Sequence, residues 1–347
     1  MFKPNYTITT NLLNSISKIE AARQIIENAP LIPKWERKFV EDALIRSIHH
    51  STHIEGNPLS PDDTRKVYEG RVEELRVGAR DIQEIINYRK AMVYIDSLIE
   101  KQAKIIQTTI LKLHKILAYN FLSPEHSGKY RNVKVSLRNS QTREITFTPP
   151  PKSQVKPLMD SFLEWFNNSS ETTHSVIKAG LVHYEVARIH PFVDLNGRTS
   201  RALATLSLYL DGYDIKQFFC LDEHYDKNPK AYYDALKSVN KGGQNHTPWL
   251  EYFATGLAEE LEQIKARVLK LSSDFHKRQK KGQIFLSERQ ERIIQYLEEN
   301  IRIINKDYSK IFPNISEDTV LRELNDLLKK KIVRKRGRTK AASYELR

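Results

Sequence analysis

The sequence predicts a mainly α protein: a helical core with one β-hairpin flap, followed by a C-terminal winged helix-turn-helix domain of α+β type. Three observations predict this. Apolar residues recur at i, i+3 and i+4 along most of the 347 residues, and glycine is sparse at 12. Before the tail the pattern switches to alternation once, at residues 130–148. Residues 286–347 then have a layout of their own, three helices and two strands.

In chain order, residues 34–54 form the first strongly periodic helix, with Phe39, Leu44, Ile45 and Ile48 on one face. Gly56, Asn57 and Pro58 stop it. Ser60 caps a new helix that starts at Pro61. Residues 78–99 and 105–119 are two more. Val133–Leu137 and Glu144–Phe147 alternate around a turn-like Arg138–Thr142, which predicts the hairpin; Pro149 to Pro151 end it. Helices resume at 154–168, 174–189, 198–211, 229–239 and 247–274. Residues 277–283 look like a linker. The tail has helices at 288–299, near 305–311 and from Ser316 to Lys330. Ile332–Arg334 and Ala342–Leu346 then read as strands around a basic turn. The expected domains are an N-terminal helical region (1–100), a core (101–275), a basic linker (276–284) and the winged helix (285–347).

Composition narrows the function classes. No run of about 20 apolar residues exists, so no membrane partner is expected. The single cysteine, Cys220, excludes an internal disulfide and a cysteine-based zinc finger, and points to a reduced, cytoplasmic setting. Of the net charge of +13, residues 276–347 carry +9, from 19 Lys/Arg against 10 Asp/Glu. That asymmetry points to a module that meets something anionic.

The chemistry concentrates in residues 189–201. An apolar helix runs into His190, Pro191 starts a loop, and a second helix opens near Gly197–Arg198. A loop at a helix N-terminus presents free N–H groups and the positive end of the dipole to anions. Arg198 and Arg201, three residues apart, share a helix face, and guanidinium groups suit phosphate oxygens. Asp194 is a hard oxygen ligand for a phosphate-bound Mg²⁺. The Asn196 amide can donate to a phosphate, and His190 can act as general base. No Walker A motif and no GxGxxG occurs, so this is a nucleotide-phosphate site of another kind.

His190-Pro191-Phe192-x-Asp194-x-Asn196-Gly197-Arg198-x-x-Arg201 resembles the signature of the Fic (Fic/Doc) family. Gly128–Arg131 and Thr148–Pro150 resemble that family's flap region, and Asp222 to Tyr233 resembles the segment after its motif. The resemblance spans roughly residues 30–265. It implies a helical fold with a flap over the active loop, and a protein adenylyltransferase that moves AMP from ATP to a Ser, Thr or Tyr hydroxyl of a target protein. By residue it implies His190 as base, Asp194 as Mg²⁺ ligand, Asn196, Gly197 and Arg198 on the phosphates, and Arg201 on the γ-phosphate. Phe192 would anchor the loop. The family usually has Gly where this chain has Leu195. If that position requires positive φ, Leu costs roughly 1–2 kcal/mol. The loop is then either reshaped, with the side chain crowding the phosphates, or nearly unchanged with its N–H still presented. Ser51 to Asn57 resembles the family's inhibitory motif, on a helix at about 34–56, which implies that Glu55 pairs with Arg201 and holds transfer low.

Plainer readings stand beside these. His49 and His53, at i and i+4, could ligate a metal, but no third ligand suggests itself, so they read as polar helix residues. His114, His174 and His183 read as helix-face or core histidines, and Cys220 as a buried small residue. The hairpin, with Ile145, Thr146 and Phe147, reads as a flap on which a target strand aligns its hydroxyl with His190. In the tail, Arg334, Lys335, Arg336, Arg338 and Lys340 favour contact with a nucleic-acid backbone, while the acids on the preceding helix argue against a groove-reading role. A protein-docking wing stays equally open, as does a homodimer. Two other functions are carried: a DNA-binding regulator with a degenerate nucleotide-sensing core, and a different nucleotidyl transfer, or removal of AMP, in the same pocket.

Overall fold

The computed structural model describes residues 2–29, 31, 33–138, 144–168, 172–280, 286–313, 315–337 and 342–347. The chain divides into two compact units, one of residues 1–28 and 39–266, the other of 29–38 and 267–347. The first unit therefore takes in both the N-terminal helical region and the core that the sequence suggested as separate domains.

In the first unit, α1 (Thr10–Asn28) leads to α2 (Pro33–His53), whose first residues belong to the second unit. No helix was expected from the sequence at α1. It buries Leu12, Ile19, Ala22 and Ile26 with Ser15 among them, a narrow stripe that gives only a weak signal. α3 (Pro61–Tyr68) starts as expected, with Ser60 Oγ accepting the Asp63 N–H at 3.1 Å. α4 (Ala79–Glu100) and α5 (Gln107–Leu117) follow.

The hairpin is shorter than its alternation implies. β1 is Leu137–Arg138 and β2 is Ile145–Phe147, paired antiparallel with Leu137 opposite Phe147. Residues 133–136 are not strand. The Arg131 side chain takes Val133 O as an acceptor at 3.1 Å, a local bond that uses this carbonyl at the start of the stretch. The expected turn at 139–142 lies outside the described residues.

α6 (Lys152–Asn168), α7 (Ser175–Ile189) and α8 (Asn196–Leu210) come next, then α9 (Asp222–Lys227), α10 (Pro229–Lys241) and α11 (Thr247–Lys280). α7 is buried on all sides from Val176 to Val186, and α8 nearly so. A helix buried on every face is a core helix, here with the charged Lys178, Glu185, Arg198 and Arg201 among its buried residues, and these two pack on each other with the loop 190–195 between them. Gly180 lets α11 come close: Trp249 Nε1 donates to Gly180 O at 2.7 Å, and a Cβ on Gly180 would lie 2.8 Å from Leu250 Cδ2 and 3.3 Å from the Phe253 ring.

In the second unit α11 continues to Lys280, so Lys277 to Lys280 are helix where a linker was expected; 281–283 lie outside the described residues. α12 (Glu288–Glu299) opens with a capping box of Ser287 and Gln290. β3 (Ile303–Ile304), α13 (Tyr308–Ile311), α14 (Glu317–Lys329), β4 (Val333–Arg336) and β5 (Ser343–Leu346) complete it, with the strands in the order β3-β5-β4. Ile293, Leu297, Ile303, Leu324, Leu327 and Tyr344 fill this unit's own core. Among the described residues no helix is long and apolar enough to cross a membrane.

Gly180→Val places two methyl groups where Leu250 and Phe253 already sit. It is expected to destabilise the first unit by about 1–3 kcal/mol, read as a lower urea midpoint.

Candidate active site

The loop between α7 and α8 turns at two left-handed residues. His190 (φ 51°) closes α7 and Leu195 (φ 65°) precedes α8. Leu195 thus takes the conformation that glycine would adopt without strain, at about 1–2 kcal/mol. Its side chain is buried in the protein, only 3% exposed, so it does not crowd the loop's outer face. The loop keeps its form and α8 still begins at Asn196.

Side chains from elsewhere hold the loop. Arg131, buried, donates from Nε to His190 O (2.8 Å) and from Nη2 to Pro150 O (2.6 Å), and its own N–H donates to Pro191 O (2.8 Å). Its partners are carbonyls, so burial lowers its pKa. The His114 ring stacks flat on Phe192, with centroids 3.7 Å apart. His114 Nε2–H donates to Asp194 O at 3.2 Å, and Nδ1 accepts the Gly128 N–H at 3.0 Å. Burial pulls His114 down to about 4, so the ring is neutral and its tautomer is set. It is the core histidine that the sequence left as one of two readings, and it also holds the loop through Asp194 O. Phe192 is the expected anchor, fully buried.

Asn196 requires a correction. Its Oδ1 accepts the Phe192 N–H at 2.9 Å and its Nδ2 donates to Phe192 O at 3.0 Å. The amide cinches the loop instead of reaching outward for phosphate. What Asn196 offers an anion is its backbone N–H, which with those of Gly197 and Arg198 has no carbonyl one turn earlier.

His190 Nδ1–H donates to Ala187 O at 3.2 Å. A carbonyl only accepts, so the proton sits on Nδ1 and Nε2 carries the lone pair. Burial lowers the His190 pKa, partly opposed by its backbone bond and by the Glu55 and Asp194 charges. The imidazole is therefore neutral at pH 7. Asp194 is half-exposed, and its Oδ1 accepts the Leu195 N–H at 2.6 Å.

Arg201 is the most enclosed charge here, its side chain 1% exposed. Its Nη2 donates to Glu55 Oε1 (2.9 Å) and Ser51 O (2.7 Å), and its Nε donates to Ser51 Oγ (2.9 Å) and lies 3.2 Å from Asp222 Oδ1. Nη1 has no hydrogen-bond partner among the described residues. Glu55 lies just past α2, which ends at His53 rather than continuing to 56, in a turn closed by Gly56 (φ 96°). The turn is tied to α4: Asn57 Nδ2 donates to Glu84 Oε2 (2.8 Å) and to Asp81 O (3.1 Å). Glu84 in turn pairs with Arg198, whose pKa burial lowers to about 10, still charged at neutral pH. Burial would raise the Glu55 carboxyl, but the Arg201 and Arg198 charges outweigh it and hold it below its ordinary value.

Glu55 also covers Gly197. A Cβ on Gly197 would overlap Glu55 Oε1 and lie 3.1 Å from Arg201 Nη1. The carboxylate thus occupies the space over the first turn of α8, where an anion would meet the free N–H groups.

The structure therefore brings His190, Asp194, Asn196, Gly197, Arg198, Arg201 and Glu55 together. Arg131, His114, Glu84, Ser51 and Asp222 join them from distant segments; Ser51, Arg131 and Asp222 fall in stretches that carried the family resemblance, whereas His114 and Glu84 had no local signal. On the flap, Ile145 and Thr146 are exposed and Phe147 half-buried. In the second unit Arg334 Nη2 lies 3.1 Å and Arg336 Nε 3.3 Å from Glu345 Oε2, so one carboxylate answers two of the expected basic contacts. Lys335 lies over the Tyr344 ring, 5.8 Å from its centroid. Arg338 and Lys340 lie outside the described residues.

Residues 104–208 match the Fic/DOC family. The protein adenylyltransferase Fic of Drosophila grimshawi is 33% identical over 179 residues, 51% of this chain and 35% of that protein. The one of Nematostella vectensis is 27% identical over 230 residues, 65% of this chain and 50% of that protein. The chain thus spans about a third to a half of the curated relatives it matches. A Fic family protein from Desulfovibrio desulfuricans G20 shares the fold with a TM-score of 0.65 at 22% identity, covering 100% of this chain and 98% of that one. Fic-1 from C. elegans does so with a TM-score of 0.60 at 22% identity, covering 76% and 74%.

Leu195→Gly relieves about 1–2 kcal/mol of backbone strain and forfeits about 2–5 kcal/mol of buried side chain. A net loss of stability is expected, seen as a lower urea midpoint.

Proposed function

We propose that this chain, a member of the Fic/DOC family through residues 104–208, is a protein adenylyltransferase held at low activity by Glu55. In this reading His190 Nε2 takes the proton of a target hydroxyl as its oxygen attacks the α-phosphorus of ATP. The bond to the bridging oxygen breaks and pyrophosphate leaves. The left-handed turn at His190 and its Nδ1–H bond to Ala187 O aim the lone pair away from the helix, as a general base requires. The N–H groups of Asn196, Gly197 and Arg198 and the Arg198 and Arg201 guanidiniums would take the phosphates. Asp194, a half-exposed carboxylate at the loop's edge, fits the Mg²⁺ that accompanies the nucleotide; when bound, that ion would neutralise phosphate charge.

The observation that carries the reading is Glu55 lying over Gly197 and bonded to Arg201. An ATP triphosphate needs the same donors, so Glu55 and the γ-phosphate compete for them. β2 would dock the target as an added strand, with Ile145, Thr146 and Phe147 as its contacts. The regulator reading rested on Leu195 and the basic wing. Leu195 is accommodated in the loop and Arg334 and Arg336 turn to Glu345, so neither observation favours it.

With α-phosphate-labelled ATP and Mg²⁺, Glu55→Gly is expected to label protein at least about tenfold more than wild type, the equivalent of ~1.4 kcal/mol of relieved competition. His190→Ala added to that variant should reduce labelling by about 10²–10⁴-fold. Equal labelling by wild type and Glu55→Gly, with ATP binding intact by calorimetry, would remove the brake from this reading.

The pH profile has a defined sign. A base works neutral, and the His190 pKa lies below its ordinary 6.5; removing the Glu55 charge, which raises it, lowers it further. In Glu55→Gly, transfer should be flat from pH 7 to 8 and fall only below pH 6.5. A half-maximum above pH 7 would count against His190 as base. The Glu55 carboxyl is itself held below its ordinary 4.5. The stability of its pair with Arg201 is therefore present above that value and lost only as pH falls through the lowered pKa, so mild acid does not release the brake.

A further inference from the structure

Three histidines end α2: His49, His50 and His53. Against them lies Asp226 of α9, its side chain 8% exposed. His50 Nδ1 is 2.7 Å from Asp226 Oδ2, and His53 Nδ1 is 2.8 Å from Oδ1 and 2.9 Å from Oδ2. Neighbouring residues on a helix point about 100° apart, yet the His49 and His50 ring centroids are 4.7 Å apart, and those of His49 and His53 5.4 Å. Nitrogen and oxygen atoms of His49, His50 and Asp226 all lie within 4.8 Å of one another.

A buried carboxylate needs only hydrogen-bond donors, which one arginine supplies. Here it is met by imidazoles, whose nitrogens are good transition-metal ligands. Zinc bonds of about 2.0–2.2 Å place tetrahedral ligand atoms roughly 3.4 Å apart, so side-chain adjustments of about 1 Å close the observed cluster on an ion. His49 Nδ1 lies 3.4 Å from Thr64 Oγ1, which leaves Nε2 as its ligand atom and gives the ring an orienting contact. On the other flank, Glu223 bonds Arg46 at 2.6 Å and lies 3.9 Å from His50 Nε2.

We infer that His49, His50 and Asp226 form a site for a zinc-type dication, with His53 or water as the fourth ligand. A neutral imidazole that ligates through Nδ1 carries its proton on Nε2, so the Nδ1 atoms now directed at Asp226 can turn their lone pairs to the ion. The site joins the end of α2, two residues before Glu55, to α9, whose first residue Asp222 lies against Arg201. A bound ion would therefore hold together the two elements that enclose Arg201. That consequence rests on the function proposed above; metal binding does not.

The test is calorimetric titration of Zn²⁺ into the full chain after chelator treatment, without nucleotide. One equivalent should bind at about 1 µM or tighter, with affinity falling at least about 30-fold in His50→Gln and in Asp226→Asn. His126→Gln, at a histidine outside the cluster, should bind as wild type. No binding, or equal binding in all forms, overturns the site. Zinc X-ray absorption on the loaded wild type reads the ligands directly. A nitrogen/oxygen shell with at least two imidazoles is expected, and fewer than two overturns the assignment even where a variant fails to fold. Inactive protein that binds zinc as described would count against the transferase reading alone.

Discussion

A guanidinium with almost no solvent exposure must bring its counter-charges with it. Leaving such an ion unpaired inside a protein costs several kcal/mol, and removing one partner of a buried pair about 3–5 kcal/mol. Arg201 meets this demand from two segments far apart in sequence. The turn after α2 gives Glu55 and, one turn earlier, the Ser51 hydroxyl and carbonyl; α9 gives Asp222. This buried charge therefore ties the end of α2 and the turn after it to the start of α9.

The loop beside Arg201 answers a second constraint. Two left-handed corners, at His190 and Leu195, reverse the chain between two buried helices. Such corners persist when surrounding contacts over-determine them. Arg131 holds the first through the carbonyls of His190 and Pro191, His114 holds the carbonyl of Asp194, and Asn196 closes the loop on Phe192. Leu195 is tolerated because its side chain has a buried place to go. The reacting groups thus stand on a loop whose carbonyls are committed, so its outward face presents N–H groups.

What could be read from the sequence follows from how far each interaction reaches. His190 to Arg201 is one continuous stretch, and a helix–loop–helix with cations on one face is legible from spacing alone. The pairing of Glu55 with Arg201 was expected only because Ser51 to Asn57 resembled a known motif. Arg131, His114, Glu84 and Asp226 act on residues many positions away, which no window of periodicity can reveal. His49 and His53 looked like two ligands without a third because Asp226 lies on another helix. Asn196 was misjudged for a different reason: its amide chemistry was legible but its direction was not. The hairpin was read too long because alternation of residue types looks the same in a strand and in a segment that pairs with no other strand.

In the proposed function, the charges around the two signature arginines bear on why Glu55, and not another carboxylate, would serve as the brake. Glu84 and Asp222 stand on α4 and α9, so withdrawing either means moving a helix. Asp194 is half-exposed, and its carboxylate accepts the N–H of the residue beside it. Glu55 alone sits on a turn past a helix end, with a quarter of its side chain exposed and Gly56 as its next residue. Its pair with Arg201 is buried on the arginine side and wet on its own. Displacing Glu55 returns its carboxylate to water and leaves Arg201 with Asp222 as its remaining carboxylate, which favours a replacement anion. Under the proposed function a polyphosphate arriving over Gly197, in the space Glu55 Oε1 now occupies, would supply that replacement.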